Sequence, residues 1–213
     1  MNDRQTSFRE LSLKAKVIQI WEYYRWQIII AVFVVFILGS LIKTMVTHTE
    51  PVFSVLMVNS WTDNEKASGS LTPFLLENEV DPDQLDVNTS VSLVLDDPMY
   101  YQEQTQLLAM LCAREYDVFL SDKPVFEKYA EQNCFRDLSM YLTEEQINHL
   151  GDRVYFAEDK DTGEKYPAGI YLSEENSKWL KKSGAYSECY FGILYKDDKN
   201  APLIQQLISY ILV

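Results

Sequence analysis

Residues 26 to 46 (Trp-Gln-Ile-Ile-Ile-Ala-Val-Phe-Val-Val-Phe-Ile-Leu-Gly-Ser-Leu-Ile-Lys-Thr-Met-Val) constrain this chain more than any other stretch, because no charged residue lies between Arg25 and Lys43. At about 1.5 Å per residue, a helix here covers most of a hydrocarbon core about 30 Å thick. Lys43 can snorkel outward, so Thr44, Met45 and Val46 extend the span. The run is longer than the hydrophobic core of a cleaved signal peptide, and neither an Ala-x-Ala-like site nor a nearby cysteine follows it, so we expect an uncleaved signal anchor.

Charge sets the expected direction. Residues 1–43 hold six basic and three acidic residues, leaving 13 basic against 29 acidic in the remainder, a net of −16. Five of those basic residues precede the span, so the positive-inside rule predicts a cytoplasmic N-terminus and an extracytoplasmic C-terminal domain. The expected division is a cytoplasmic amphipathic, interfacial helix over 1–25, a transmembrane anchor over 26–46 and an α/β domain over 47–213. In the first segment Ser7 and Glu10 have capping-box spacing, Leu13, Val17, Ile20 and Tyr24 make an apolar stripe, and Trp21, Tyr23, Tyr24 and Trp26 suit headgroup depth. The lipid bilayer is thus the first expected partner. A domain so acidic is repelled by nucleic acid, which is excluded as a partner.

Beyond the anchor the pattern alternates strand and helix. Strands are predicted at 52–59, 87–95, 116–120, 154–158, 165–171 and 188–195. Helices are predicted at 71–78, 96–114, 123–133, 143–150, 174–181 and 201–213. Pro124 and Pro202 fall in first turns, and Thr143 is placed to cap. Three strand–helix units in succession imply parallel pairing with right-handed crossovers, completed by a late hairpin and a last strand. The expected class is α/β, one three-layer domain with a mixed, mainly parallel sheet. Asp159-Lys160-Asp161-Thr162-Gly163 places aspartates at alternate positions before a glycine. It lacks the remaining ligands of a calcium loop and reads as a hairpin turn.

Cys112, Cys134 and Cys189 have neither zinc nor disulfide-framework spacing. They read as buried or half-buried free thiols, with one bridge outside the cytoplasm as the alternative. No phosphate loop, paired-histidine metal spacing or Gly-x-Ser-x-Gly occurs, so neither an enzyme nor a bound cofactor is expected. Ligands of open α/β sheets sit beyond the carboxyl ends of the strands. The candidate binding residues there are Asn59, Trp61, Asp96 and Asp122. Trp61 would stack on a sugar or peptide face, and the aspartates would hold hydroxyls or a cation. Asp96 and Asp122 also stand where helix starts need caps.

The stretch Tyr116-Asp117-Val118-Phe119-Leu120-Ser121-Asp122, continuing through Phe126–Asn133 to Asp137-Leu138-Ser139-Met140-Tyr141-Leu142, resembles extracellular solute-binding proteins of ABC importers, with their type 2 periplasmic-binding-like fold. The string Ile20–Ile30 is similar to the start of the anchor in small membrane-tethered proteins of Firmicutes-type bacteria. The likeness is close over 116–142 and extends in outline across the domain. It implies one lobe of a two-lobed receptor, since the residues after the anchor suffice for a single lobe. A lone lobe has no closing cleft. The expected function is a membrane-tethered extracytoplasmic binding or interaction module, accessory to a transporter or envelope complex. The alternative is a structural or assembly subunit of a membrane complex with no small-molecule ligand.

Overall fold

The computed structural model describes residues 13–47, 51–94, 98–194 and 198–212. They fall into two compact units, divided between Thr49 and Glu50. The first contains a single helix, α1 (Leu13–Thr47), 35 residues long. At about 1.5 Å per residue it runs about 52 Å without a break, so the boundary expected near residue 25 is not marked by an interruption of the helix. From Tyr23 to Ser40 it is long and apolar enough to cross a membrane, and none of that window is buried within the molecule. Val35 and Phe36, for example, are exposed on its surface. The proposed cap at Ser7 and Glu10 lies outside the described residues.

The second unit is α/β, built on one mixed sheet of six strands. They are β1 (Phe53–Met57), β2 (Leu85–Asn88), β3 (Val118–Ser121), β4 (Val154–Glu158), β5 (Lys165–Ser173) and β6 (Glu188–Ile193), in the order β2-β1-β3-β6-β5-β4. The helices are α2 (Asn64–Glu77), α3 (Tyr100–Ala113), α4 (Lys123–Ala130), α5 (Glu144–Leu150), α6 (Lys178–Ser183) and α7 (Ala201–Ile211). Local chemistry starts several of them. Asp63 caps α2, Asp122 caps α4 with Pro124 in the first turn, and Thr143 and Gln146 form a reciprocal capping box on α5.

The expectation of a mainly parallel sheet is corrected. Only β1–β2 and β1–β3 pair in parallel, whereas β3–β6, β6–β5 and β5–β4 are antiparallel. Chain length explains the second half. The β5 strand has nine residues, about 30 Å, and the six-residue α6 recovers only about 9 Å of that, too little for a parallel return. The chain therefore comes back antiparallel, and β6 fits between β5 and β3.

Alternating side chains feed two cores. Val55, Met57, Val118, Leu120, Ile170 and Leu172 pack with α2, α6 and α7, while Leu56, Val58, Phe119 and Ala168 pack with α3 and α4 on the opposite face. Helices on both faces give three layers. The second predicted strand is also corrected. It starts at Leu85 and ends at Asn88, before most of the predicted 87–95 run. Val91 and Leu93 are buried all the same, and that burial produced the alternation read as strand. The three cysteines are free thiols. Cys134 is half-buried and Cys189 buried, but Cys112 is exposed, contrary to expectation.

Candidate functional site

Strand order 2-1-3 creates a switch point. The crossover helix α2 leaves β1 on one face, and α3 reaches β3 on the other. Chains diverging in this way leave a crevice beyond the strand ends, the usual ligand position in such sheets. Here the crevice is a cavity of about 360 Å³.

Asn59, two residues past the end of β1, lies in the left-handed region at φ 59°, which asparagine tolerates better than most residues. Its side chain does the work of a missing strand. The Oδ1 accepts from Leu93 N at 2.6 Å, and its backbone N–H donates to Val91 O at 3.1 Å. The same Asn59 amide donates to Asp122 Oδ2 at 3.0 Å. Asp122 Oδ1 in turn accepts from Val125 N at 3.4 Å as the cap of α4. Sequence reasoning thus placed Asn59 and Asp122 at one site, and the structure brings them into contact. Both are already engaged in holding the fold.

Trp61 does not line this cavity. The residue is 74% exposed, and its backbone N–H is tied to Ala185 O at 2.9 Å. Asp96 lies outside the described residues. The cavity contains two groups that sequence reasoning missed, Tyr100 from α3 and Lys128 from α4. Lys128 Nζ donates to the Tyr100 hydroxyl at 3.1 Å and sits 5.4 Å from the centre of that ring. The available signal was the α4 helical wheel. Pro124, Val125 and Lys128 share one face, one turn from the capping Asp122. Tyr100 comes from 28 residues away, and no local pattern announces it.

In the core on the α2, α6 and α7 face, the Tyr186 hydroxyl donates to Val58 O at 2.8 Å, with Leu120 O 3.2 Å away. It therefore pins the ends of β1 and β3 together. Burial, reinforced by Cys189 and Asp122, pushes this phenol well above its ordinary range, so it remains a donor at every physiological pH. Nearby, burial pushes Tyr129 up to about 12. The arrangement offers one ammonium, a phenol and an apolar wall formed by Leu93, Val94 and Pro124.

Asn59→Ala is expected to cost about 2 kcal/mol, combining a lost hydrogen-bond pair with an unfavourable left-handed backbone. Asn59→Gly should recover about half by relieving the backbone part alone. Urea unfolding followed by near-UV circular dichroism measures both. Equal midpoints for the two variants would show that the backbone conformation contributes nothing.

No protein-family model, no curated protein and no solved structure matches this chain.

Proposed function

We propose that this protein is a single-pass, membrane-tethered module whose 50–213 domain works outside the cytoplasm as a binding or interaction lobe. The cell membrane holds the span, the N-terminus stays cytoplasmic, and the partner is a transporter or another envelope protein. The observation that carries the reading is α1, an uninterrupted 35-residue helix with open apolar side chains that precedes a separate compact unit. The basic residues ahead of it set the direction. A single α/β lobe with a switch-point cavity fits the likeness to half of a solute-binding protein. The cavity favours binding, since Asn59 and Asp122 serve as scaffold around a lysine and a tyrosine.

Two measurements test this. In a chain with Cys112→Ser and Cys134→Ser, Glu175→Cys on the exposed surface should react with a membrane-impermeant maleimide in intact cells. Labelling only after lysis would overturn the orientation. Cross-linking in intact membranes should join the full chain to a transporter or envelope subunit. Recovery of homotypic products alone would overturn the accessory role.

A further inference from the structure

Lys128 stands in the switch-point cavity without a counter-ion. Its Nζ lies 5.4 Å from the centre of the Tyr100 ring and 5.8 Å from that of Tyr129, and it donates to the Tyr100 hydroxyl at 3.1 Å. Among the described residues no carboxylate comes within ion-pair distance of it, although the chain carries a net charge of −13. Lys123, earlier on α4, is by contrast paired with Glu127 at 3.6 Å. The Lys128 side chain is half-buried, so water reaches only part of its charge. The two aromatic faces steady the ammonium and leave its charge unneutralised. An ammonium has three donors, of which Tyr100 takes one. The phenol accepts that bond and makes no other among the described residues, so its own O–H remains to donate. Two donor groups 3.1 Å apart in one cavity wall suit the two oxygens of a carboxylate.

The remaining wall decides what the carboxylate is attached to. Leu93, Val94, Pro124 and Val125 present hydrocarbon. Asp122 also lines the cavity, but its oxygens already accept from Asn59 Nδ2 at 3.0 Å and Val125 N at 3.4 Å. That cap occupies the start of α4, which leaves the Lys128–Tyr100 pair as the seat for an anion. Asp122 keeps its charge, so a dianion such as a phosphate monoester would meet more repulsion here than a monocarboxylate. A volume of about 360 Å³ falls at the small end of ligand pockets. We propose, building on the binding role given to this cavity above, that it takes a small aliphatic monocarboxylate, whose carboxylate bridges Lys128 Nζ and the Tyr100 hydroxyl and whose hydrocarbon lies against Leu93, Val94 and Pro124. Because Tyr100 opens α3 and Lys128 lies on α4, the bound carboxylate also ties these two helices together.

The test is isothermal titration calorimetry on the full chain in detergent micelles, with three probes of one carbon skeleton: isocaproate, its neutral isostere isocaproamide, and isohexylamine. Isocaproate should bind saturably, and isocaproamide and isohexylamine should not. Lys128→Met keeps the length and apolar stem of the lysine and should weaken isocaproate binding about tenfold or more, with an unchanged circular dichroism spectrum. Tyr100→Phe removes one neutral donor and should weaken it about threefold. Isocaproate should also slow reductive methylation of Lys128 and leave that of Lys123 unchanged, which separates occupancy of the cavity from partition into the micelle. Isocaproamide bound as tightly as isocaproate would overturn the proposal. So would isocaproate bound as tightly by Lys128→Met, or the absence of saturable isocaproate binding to the native chain. Preference for isohexylamine would overturn it as well, assigning the cavity to cations held by Asp122. None of these outcomes moves the maleimide labelling or the cross-linking, so the carboxylate site and the tethered module stand or fall separately.

Discussion

Gly192→Val should destabilise the 50–213 domain by about 3 kcal/mol, although strand propensity alone favours the change. In an ordinary strand, replacing glycine with a β-branched residue removes backbone entropy and gains up to about 1 kcal/mol. Here the space is taken. A Cβ on Gly192 would lie 2.8 Å from Phe135 Cδ1 and 2.9 Å from Phe126 Cε2. Gly192 of β6 faces Gly169 of β5 across the ladder, and a Cβ on Gly169 would also strike the Phe126 ring and come within 2.9 Å of the Phe191 carbonyl oxygen. The two glycines form a flat floor on which the Phe126 and Phe135 rings stack, with centroids 4.4 Å apart and planes 5° apart. Neither ring can withdraw, because both are fully buried and Phe119 packs on Phe135 at 5.4 Å. Overpacking of this kind costs about 1–3 kcal/mol for a small addition, and valine adds three carbons. That is a large share of the stability of a typical domain. Urea unfolding by near-UV circular dichroism measures the loss. Gly192→Ala combined with Phe135→Leu should regain part of the cost of Gly192→Ala, which separates steric conflict from backbone strain. A midpoint unchanged or raised in Gly192→Val would refute the packing argument.

The contrast between these glycines and the helix caps shows what kind of information sequence carries. Thr143 with Gln146, Asp122 with Pro124, and the 159–163 turn are each specified within a few residues, and each forms where expected. In the turn, Asp159 Oδ1 accepts from Asp161 N at 2.8 Å and Thr162 N at 2.9 Å, and Gly163 takes φ 73°. The N–H groups of Thr162 and Asp161 hold the Asp159 carboxyl below its ordinary range, so the carboxylate suggestive of calcium is occupied by its own backbone. Long-range features were not legible. Nothing near Glu188 indicates that β6 will slot beside β3. Burial of Val91 and Leu93 mimicked a strand because alternation reports which side chains face inward, not whether the backbone has a ladder partner. At the candidate site, Asn59 and Asp122 were found from a topological rule about strand ends. Lys128 and Tyr100 meet only after α3 and α4 have packed on the same face.

Asp117 brings these strands together, and Asp117→Ala is expected to cost about 3 kcal/mol. It belongs to the tyrosine–aspartate stretch from which a solute-binding lobe was expected, yet its contacts are internal. The residue is 1% exposed, and Oδ2 accepts from Ser54 N, buried at the heart of β1, at 2.8 Å. Oδ1 accepts from Asn200 Nδ2 at 2.9 Å, and that amide also reaches Val52 O at 2.6 Å. The Asp117 main chain meanwhile bonds Ser54 O and Leu194 N. One carboxylate therefore joins β1, β3 and the residue that begins α7. Alanine leaves a buried N–H without this acceptor, at about 1–3 kcal/mol, and removes a charge-assisted bond to Asn200. Asp117→Asn keeps an acceptor for Ser54 but turns an amide N–H₂ toward the Asn200 amide, so it should cost about half as much. Asn200→Ala should cost about 1 kcal/mol. In the double variant the two losses should fall short of their sum, because the groups share a bond. Thermal unfolding of the full chain in detergent, followed by near-UV circular dichroism, measures all four proteins. Strict additivity would mean that the carboxylate and the amide act independently, and a shift below about 0.5 kcal/mol for Asp117→Ala would mean that the aspartate is not what holds β1 in place.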